Sequence, residues 1–212
     1  MEIDIAAIGE EVPLLEGLRT TRSIRRLKTD PVPKALIRKV CEAGTFAPSG
    51  GNRQPWSFIA VTDPERKAFV AERYRAVFAD YYARVLEAMK APDFPDRTRR
   101  NMASALHLAE NFADVPVLLF VAGWTRGGEP QAQALFPAVQ NILLACRAVG
   151  LGASLTMLHL VHREEIDAFL GLPEDRPSAA LLPIGWPLGK YGRPPRRSVD
   201  ESLYWERFED RG

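Results

Sequence analysis

The chain has 212 residues, with 28 Lys and Arg against 27 Asp and Glu, a formal charge of +1 and 46% hydrophobic residues. That length suits one domain and is ample for a core, and the composition excludes a mainly disordered chain. Near neutrality excludes a general attraction to nucleic acid or acidic membranes. Of the 28 cations, 22 are Arg. Arg offers a planar fork of donors suited to phosphate and carboxylate, but a GC-rich genome gives the same excess, so position matters more than number.

In chain order, residues 13–20 read as a short helix, followed by a basic segment, 21–28. Asp30 is expected to cap a helix over 34–45, with Leu36, Ile37, Val40 and Cys41 on one face. The sequence Pro48-Ser49-Gly50-Gly51-Asn52 breaks that helix, and 56–62 has the branched and aromatic character of a strand. A long amphipathic helix is expected over 64–90, a loop at 92–96 and another helix over 98–113. Residues 115–122 read as a buried strand and 126–130 (RGGEP) as a loop. An apolar helix over 131–149 ends at a Gly150 cap. A short strand at 153–157, a helix at 163–170 ending at Gly171, a strand at 178–184 and an extended arm complete the pattern. The class is α+β: a small, mostly antiparallel sheet flanked by helices, in one domain over 1–212.

Cys41 and Cys146 are far apart and form no CxxC pair, so they read as core thiols of a cytoplasmic protein rather than a zinc or dithiol site. His159 and His162 are spaced i,i+3 without a third ligand at useful spacing, so no metal is predicted. The N-terminal stretch MEIDIAAIGEEV lacks the apolar centre of a signal peptide, and the longest apolar run, near 117–122, is too short to span a bilayer. No GxxxxGK[ST], GxGxxG or GxSxG motif is present.

Four constellations carry chemistry. Arg19, Arg22, Arg25, Arg26 and Lys28 fall within ten residues free of acids, with Ser23 among them. Arg22, Ser23 and Arg25 can converge on a phosphate, although a solvated basic turn has the same composition. Residues 47–56 pair two glycines, which let backbone approach a flat ligand, with the polar Ser49, Asn52 and Gln54. Gly150 to Ser154 presents small residues between a helix and a strand. Lys190, Arg193, Arg196 and Arg197 form a second acid-free island. Eight of the nine island cations, all but Lys28, are expected to gather around one anion.

In order and spacing these segments resemble the FMN-dependent nitroreductase superfamily: TRSIR then DPV, PSGGNRQPW, Gln140-Asn141 leading to GLG, and PIGWP followed by GRPPRR and DE. The resemblance covers roughly residues 17–205. It implies a dimeric nitroreductase-like fold with an extended C-terminal arm and FMN sites at the subunit interface. It assigns Arg22, Ser23 and Arg25 to the phosphate and ribityl end of FMN. Pro48, Ser49, Asn52 and Gln54 would line the flavin held mainly by the other subunit. Gly152, Ala153 and Ser154 would lie at the isoalloxazine edge, with Arg196 or Arg197 closing on the phosphate, Arg196 being preferred. Thr21 departs from the pattern, standing where many members have an Arg, so one phosphate contact is expected either to be weaker or to be supplied by Arg19 or Arg26. Relatives that destroy flavin in cobalamin-ligand synthesis carry an acid at the position of Ser23.

The implied activity is reduction of flat electron-poor acceptors, such as quinones and nitroaromatics, by ping-pong hydride transfer from NADH or NADPH. The flavin carries the chemistry, so no catalytic side chain is assigned. Alternatives are dehydrogenation or dehalogenation of a specific metabolite, or FMN binding without turnover. Residues 64–130 are expected to cover the substrate. Tyr74, Phe78, Tyr81 and Tyr82 are candidates for stacking there, although aromatics at helical spacing also read as core.

Overall fold

Two runs of branched and aromatic residues set the centre of the molecule. β2 (Val117–Gly123) and β6 (Ser178–Gly185) are buried along their full length, the pattern of strands covered on both faces. A computed structural model describes residues 8–9, 11–126, 129–130 and 132–211. β1 (Trp56–Val61) and the two-residue β5 (Gly152–Ala153) complete an antiparallel sheet in the order β1-β2-β6-β5. The expected α+β class is the one the chain adopts. Residues 1–7, expected to lack a leader, lie outside the described residues. So do Gly127 and Gly128 of the RGGEP loop, which is flanked by the short antiparallel pair β3 (Thr125–Arg126) and β4 (Glu129–Pro130).

Side chains of β2 alternate between two cores, as a period of two requires. Val117, Leu119 and Val121 join Leu36 and Val40 of α2 (Lys34–Thr45) and Leu135 and Ile142 of α6 (Ala132–Ala148). Leu118 and Phe120 join Val70, Tyr74 and Phe78 of α3 (Pro64–Tyr81), Leu108 of α5 (Asp96–Glu110) and Ile166 of α7 (Arg163–Leu170). Each fully buried Leu or Phe contributes roughly 1.5–3 kcal/mol, so packing on both faces of the sheet dominates helix propensity. α1 (Leu14–Thr20) precedes this framework, and α4 (Ala83–Ala88) follows α3.

Three local expectations are corrected. Asp30 does not cap α2: the N-cap is Pro33, with no side-chain capping bond. Asp30 lies three residues earlier, and prolines at 31 and 33 keep the intervening chain extended. The helix expected over 64–90 breaks at Tyr82, where φ is −101° and ψ 8°. There the Tyr82 ring packs on Phe78 at 4.8 Å and on Tyr81 at 4.9 Å and against the core cluster that holds Leu118 and Phe120, so packing overrides helical propensity. The strand expected over 153–157 pairs with β6 only at Gly152–Ala153, with an isolated bridge from Thr156 to Leu181. The register places Pro183 opposite Ser154, and proline has no N–H to give to a ladder. The ladder therefore opens at Ser154 and Leu155 and closes again where Thr156 and Leu181 exchange bonds of 2.9 and 3.0 Å.

The basic segment is stitched into this edge. Ile24 N donates to Ala153 O at 2.9 Å, Lys28 N to Trp186 O at 2.8 Å, and Leu188 N to Arg26 O at 3.0 Å. Such close backbone approach needs a bare residue on β5. A Cβ on Gly152 would lie 2.8 Å from both Ile24 Cγ2 and Leu27 Cδ2. Gly152→Ala is expected to cost about 1–3 kcal/mol, read as a lower midpoint in urea denaturation with an unchanged m-value.

His159 is buried, edge-on to Phe120 with ring centroids 5.5 Å apart. Neither ring nitrogen has a hydrogen-bond partner among the described residues. Burial, with the Arg163 charge adding to it, lowers its pKa from 6.5 to about 3. The unfolded chain takes up this proton below pH 6.5 and the folded chain does not, so stability is full above pH 6.5 and falls toward pH 3. Lowering the pH from 7 to 4 should shift the stability difference between wild type and His159→Leu by on the order of 3 kcal/mol in the variant's favour. Urea denaturation at both pH values measures it, and a constant difference would contradict it.

Candidate functional site

The stitch brings the two basic islands together across two adjoining cavities. The first, about 240 Å³, lies where α6, the opened edge after β5 and the C-terminal arm meet the 21–24 segment. Arg22, Arg147 and Arg196 line it with Ser23, Gln140, Ser154 and Tyr191, and no acid is among the lining residues described. The second, about 480 Å³, shares Arg22, Ser23 and Arg196 and adds Arg25, Arg193, and Arg97 and Asn101 of α5; it too has no acid in its described lining.

Hydrogen bonds preorganise the first cavity. Arg147 Nε donates to Thr20 Oγ1 at 2.8 Å, and its guanidinium lies 4.2 Å from the centroid of the Tyr191 ring. It thereby ties α1 and the arm to the last turn of α6, where a cation also suits the helix dipole. Arg22 Nη2 donates to Lys190 O at 3.4 Å and Arg196 Nη1 to Pro195 O at 3.1 Å. These acceptors are backbone carbonyls, so neither guanidinium is neutralised. Arg193 is paired with Glu16 at 3.2 Å, on an exposed surface where such pairs are weak.

Two hydroxyl groups in the first lining, Ser154 Oγ and Tyr191 OH, are buried without a partner among the described residues. Buried polar atoms are ordinarily satisfied, and a bound molecule would satisfy them here. Burial pushes the Tyr191 phenol up to about 12, so it stays protonated and offers a donor. The thiols are quiet: burial raises Cys41 to about 11 and pushes Cys146 higher still, and neither is in a disulfide. No group of three or more His, Cys, Asp or Glu is placed to hold a metal among the described residues, and no helix there is long and apolar enough to cross a membrane.

Of the residues singled out in the sequence, Arg22, Ser23, Ala153, Ser154 and Arg196 line the first cavity, while Arg25 lines only the second. Gly152 is used in packing against Ile24 and Leu27. Arg197 lines neither cavity. Four of the nine island cations, Arg22, Arg25, Arg193 and Arg196, line the pair; Arg19, Arg26 and Lys190, expected with them, do not. Arg26 lies in the segment whose backbone is bonded to the arm, and its side chain is exposed. Thr21 lines the first cavity, but its hydroxyl donates to Gly17 O at 2.7 Å. The extra guanidinium beside it is Arg147, not Arg19 or Arg26. Arg147 is the one charged residue in the α6 sequence AQALFPAVQNILLACRA, and a lone cation in so apolar a helix is the signal that could have found it.

Pro48, Asn52 and Gln54 are exposed and Ser49 is half-buried; none lines either cavity. Their loop is nonetheless ordered from within. Gln54 N donates to Ser49 Oγ at 3.0 Å and Gln54 Nε2 to Asn52 Oδ1 at 3.2 Å. Asn52 and Gln54 hold φ of 52° and 49°, strain of a kind that concentrates at ligand sites. Tyr74 and Phe78, candidates for stacking, are core residues instead: Tyr74 stacks on Phe112 at 3.9 Å and its hydroxyl lies 3.1 Å from Thr156 Oγ1. Tyr81 is exposed, and Tyr82 lines the second cavity.

The chain as a whole has known relatives. The chain is 33% identical over 206 residues to an NADH dehydrogenase of Thermus thermophilus, covering 87% of this chain and 91% of that protein. It is 29% identical over 177 residues to a 5,6-dimethylbenzimidazole synthase of Rhodospirillum rubrum, covering 78% of each. The solved FMN and NADPH-dependent nitroreductase NfnB from sphigopyxis sp. strain HMH superposes with a TM-score of 0.69 at 26% identity, over 92% of this chain and 99% of that one. The sequence pattern of the Nitroreductase family matches residues 18–186, a span that holds both central strands, the basic segment and the opened edge: the chain belongs to the nitroreductase family.

Proposed function

We propose that the protein is a homodimeric FMN-dependent oxidoreductase of the cytoplasm that takes electrons from NADH or NADPH and reduces flat electron-poor acceptors, such as quinones and nitroaromatics. One observation carries this reading: among the described residues, a cavity lined by three guanidiniums and no acid also holds two buried hydroxyls without partners. The donor set fits a phosphate at one end and a ring with polar edges at the other. When bound, FMN would supply the two-electron redox chemistry that a ping-pong exchange between a reduced nicotinamide and the acceptor requires.

The chain's own residues bind and orient. Arg22 and Arg196, from opposite ends of the sequence, hold the phosphate, with Ser23 donating its hydroxyl and Arg25 adding charge from the adjoining cavity. Ser154, Ala153 and the backbone beside Gly152 meet the isoalloxazine edge where the ladder is open. Tyr191 donates from a phenol that keeps its proton. No side chain is assigned as a general acid, so the acceptor's protons come from water. The loop 48–54 reaches across to the flavin of a second copy. Its exposure in the single chain supports this, as do the exposed Leu14, Leu15 and Leu18 of α1, the last of which lines the first cavity.

The purified protein should be yellow, with a band at about 450 nm that NADH or NADPH bleaches without oxygen. A chain that takes up no FMN overturns the reading. A yellow protein that neither nucleotide bleaches overturns the donor assignment and favours flavin binding without turnover. Arg22→Ala should raise the FMN dissociation constant about tenfold or more, the effect of losing one charge-assisted hydrogen-bonding group. Flavin fluorescence titration measures it.

A further inference from the structure

We propose that the cavity between α7 and the 172–177 loop binds an organic diamine, with one ammonium seated on Asp167 and the other at an acidic rim. The cavity encloses about 440 Å³ and shares no lining residue with the two basic cavities. The proposal therefore stands whether or not the flavin reading holds. Glu164, Asp167 and Ala168 share one face of α7 by their spacing of three and four. Gly171, with φ of 74°, ends the helix and turns the chain back, and Leu172 N donates to Asp167 O at 2.9 Å. Leu172, Pro173, Glu174 and Pro177 form the facing wall. Arg176 N donates to Pro173 O at 2.9 Å, closing a turn between two prolines, so this wall is set before a ligand arrives.

Asp167 is the residue that points to a ligand. It is 7% exposed and lines the cavity. Its Oδ2 accepts from Ser178 N at 2.8 Å. Its Oδ1 has no hydrogen-bond partner among the described residues, and neither has the Ser178 hydroxyl. An ionised carboxylate only accepts, and an unmatched buried oxygen is costly. An asparagine would make the bond to Ser178 N as well, so that bond does not explain the acid. Burial raises the pKa of this carboxyl, and the Ser178 contacts and the Arg163 charge oppose the shift only in part. An ammonium at Oδ1 would satisfy the oxygen and favour its charged form.

The rest of the lining sets the ligand class. It holds three carboxylates, those of Glu164, Asp167 and Glu174, against the single guanidinium of Arg163 among the described residues. Such a lining attracts cations. No three of these groups are placed to hold a metal ion. Asp167 is deep whereas Glu164 and Glu174 are exposed, so two charges separated along a chain match them better than one ion does. Ala168, Leu172 and the prolines offer apolar surface to the methylenes between those charges.

The test is calorimetric titration of the purified protein with 1,4-diaminobutane, at low salt and about pH 8, where amines and carboxylates are both charged. Saturable binding is expected. Asp167→Asn, which keeps an acceptor for Ser178 N, should weaken it about tenfold or more, and Glu174→Gln a few-fold. Glu87→Gln, which removes an exposed carboxylate of α4, should leave it unchanged. Absence of saturable binding overturns the proposal and leaves Oδ1 to an ordered water. Binding by Asp167→Asn equal to that of wild type overturns it as well. So does weakening by Glu87→Gln as large as that by Glu174→Gln, since the attraction would then belong to the whole surface. If Asp167→Asn shows no cooperative unfolding in urea, Glu164→Gln and Glu174→Gln decide, and unchanged affinity in both overturns the site. Competition by 1,4-butanediol as effective as that of the diamine overturns the role of charge. Diamine binding by a chain that takes up no FMN upholds this site and counts against the functional reading alone.

Discussion

Everything near the cavities depends on a short backbone lacing, in which the segment 24–28 bonds to Ala153 on one side and to Trp186 and Leu188 on the other. These bonds join points more than 120 residues apart in sequence, and they work only because Gly152 leaves room for Ile24 and Leu27. Each bond contributes modestly, about 1 kcal/mol net. Their geometric effect is larger, since they fix where the guanidiniums on either side of the lacing can go. Arg22 and Arg196 line the same two cavities because this lacing holds the arm beside the basic segment.

The chain as a whole is almost neutral, yet the charge is not evenly spread. Cations gather where acids are excluded, and the excess is balanced elsewhere on the surface. Arg147 shows how such a cluster is held. Its charge sits against the face of Tyr191 while its Nε bonds to Thr20, so one side chain positions both α1 and the arm. A guanidinium used in this way gives up little of its positive field, because neither partner carries a formal negative charge.

The sequence made the sheet strands readable because β2 and β6 are unbroken apolar runs, and the helix ends at Gly150 and Gly171 readable because each adopts a left-handed φ, 83° and 74°. It also pointed to Arg22, Ser23, Ser154 and Arg196, which cluster in short polar motifs. It missed Arg147 because it is a single cation on a long apolar helix, and its place in the cavity depends on which helix face meets which loop. The break at Tyr82 was hidden for a related reason: the local pattern is helical, and only contact with the core turns the ring inward. Pro183 was visible from the start, but its effect on Ser154 exists only once β5 and β6 are in register. Of the eight island cations expected around one anion, only four line the two cavities, because proximity in sequence says nothing about which way an extended segment points its side chains.

Pro183 has one more consequence. A strand at the border of a sheet offers its free N–H and C=O groups to any passing chain, and long, flat borders invite association. Here the border strand is only two residues long, because its neighbour cannot supply the next bond. Its outer side is already taken by the basic segment, through the bond from Ile24 N to Ala153 O, so the short strand and the segment laid against it together leave little open border on the β5 side for another strand to extend.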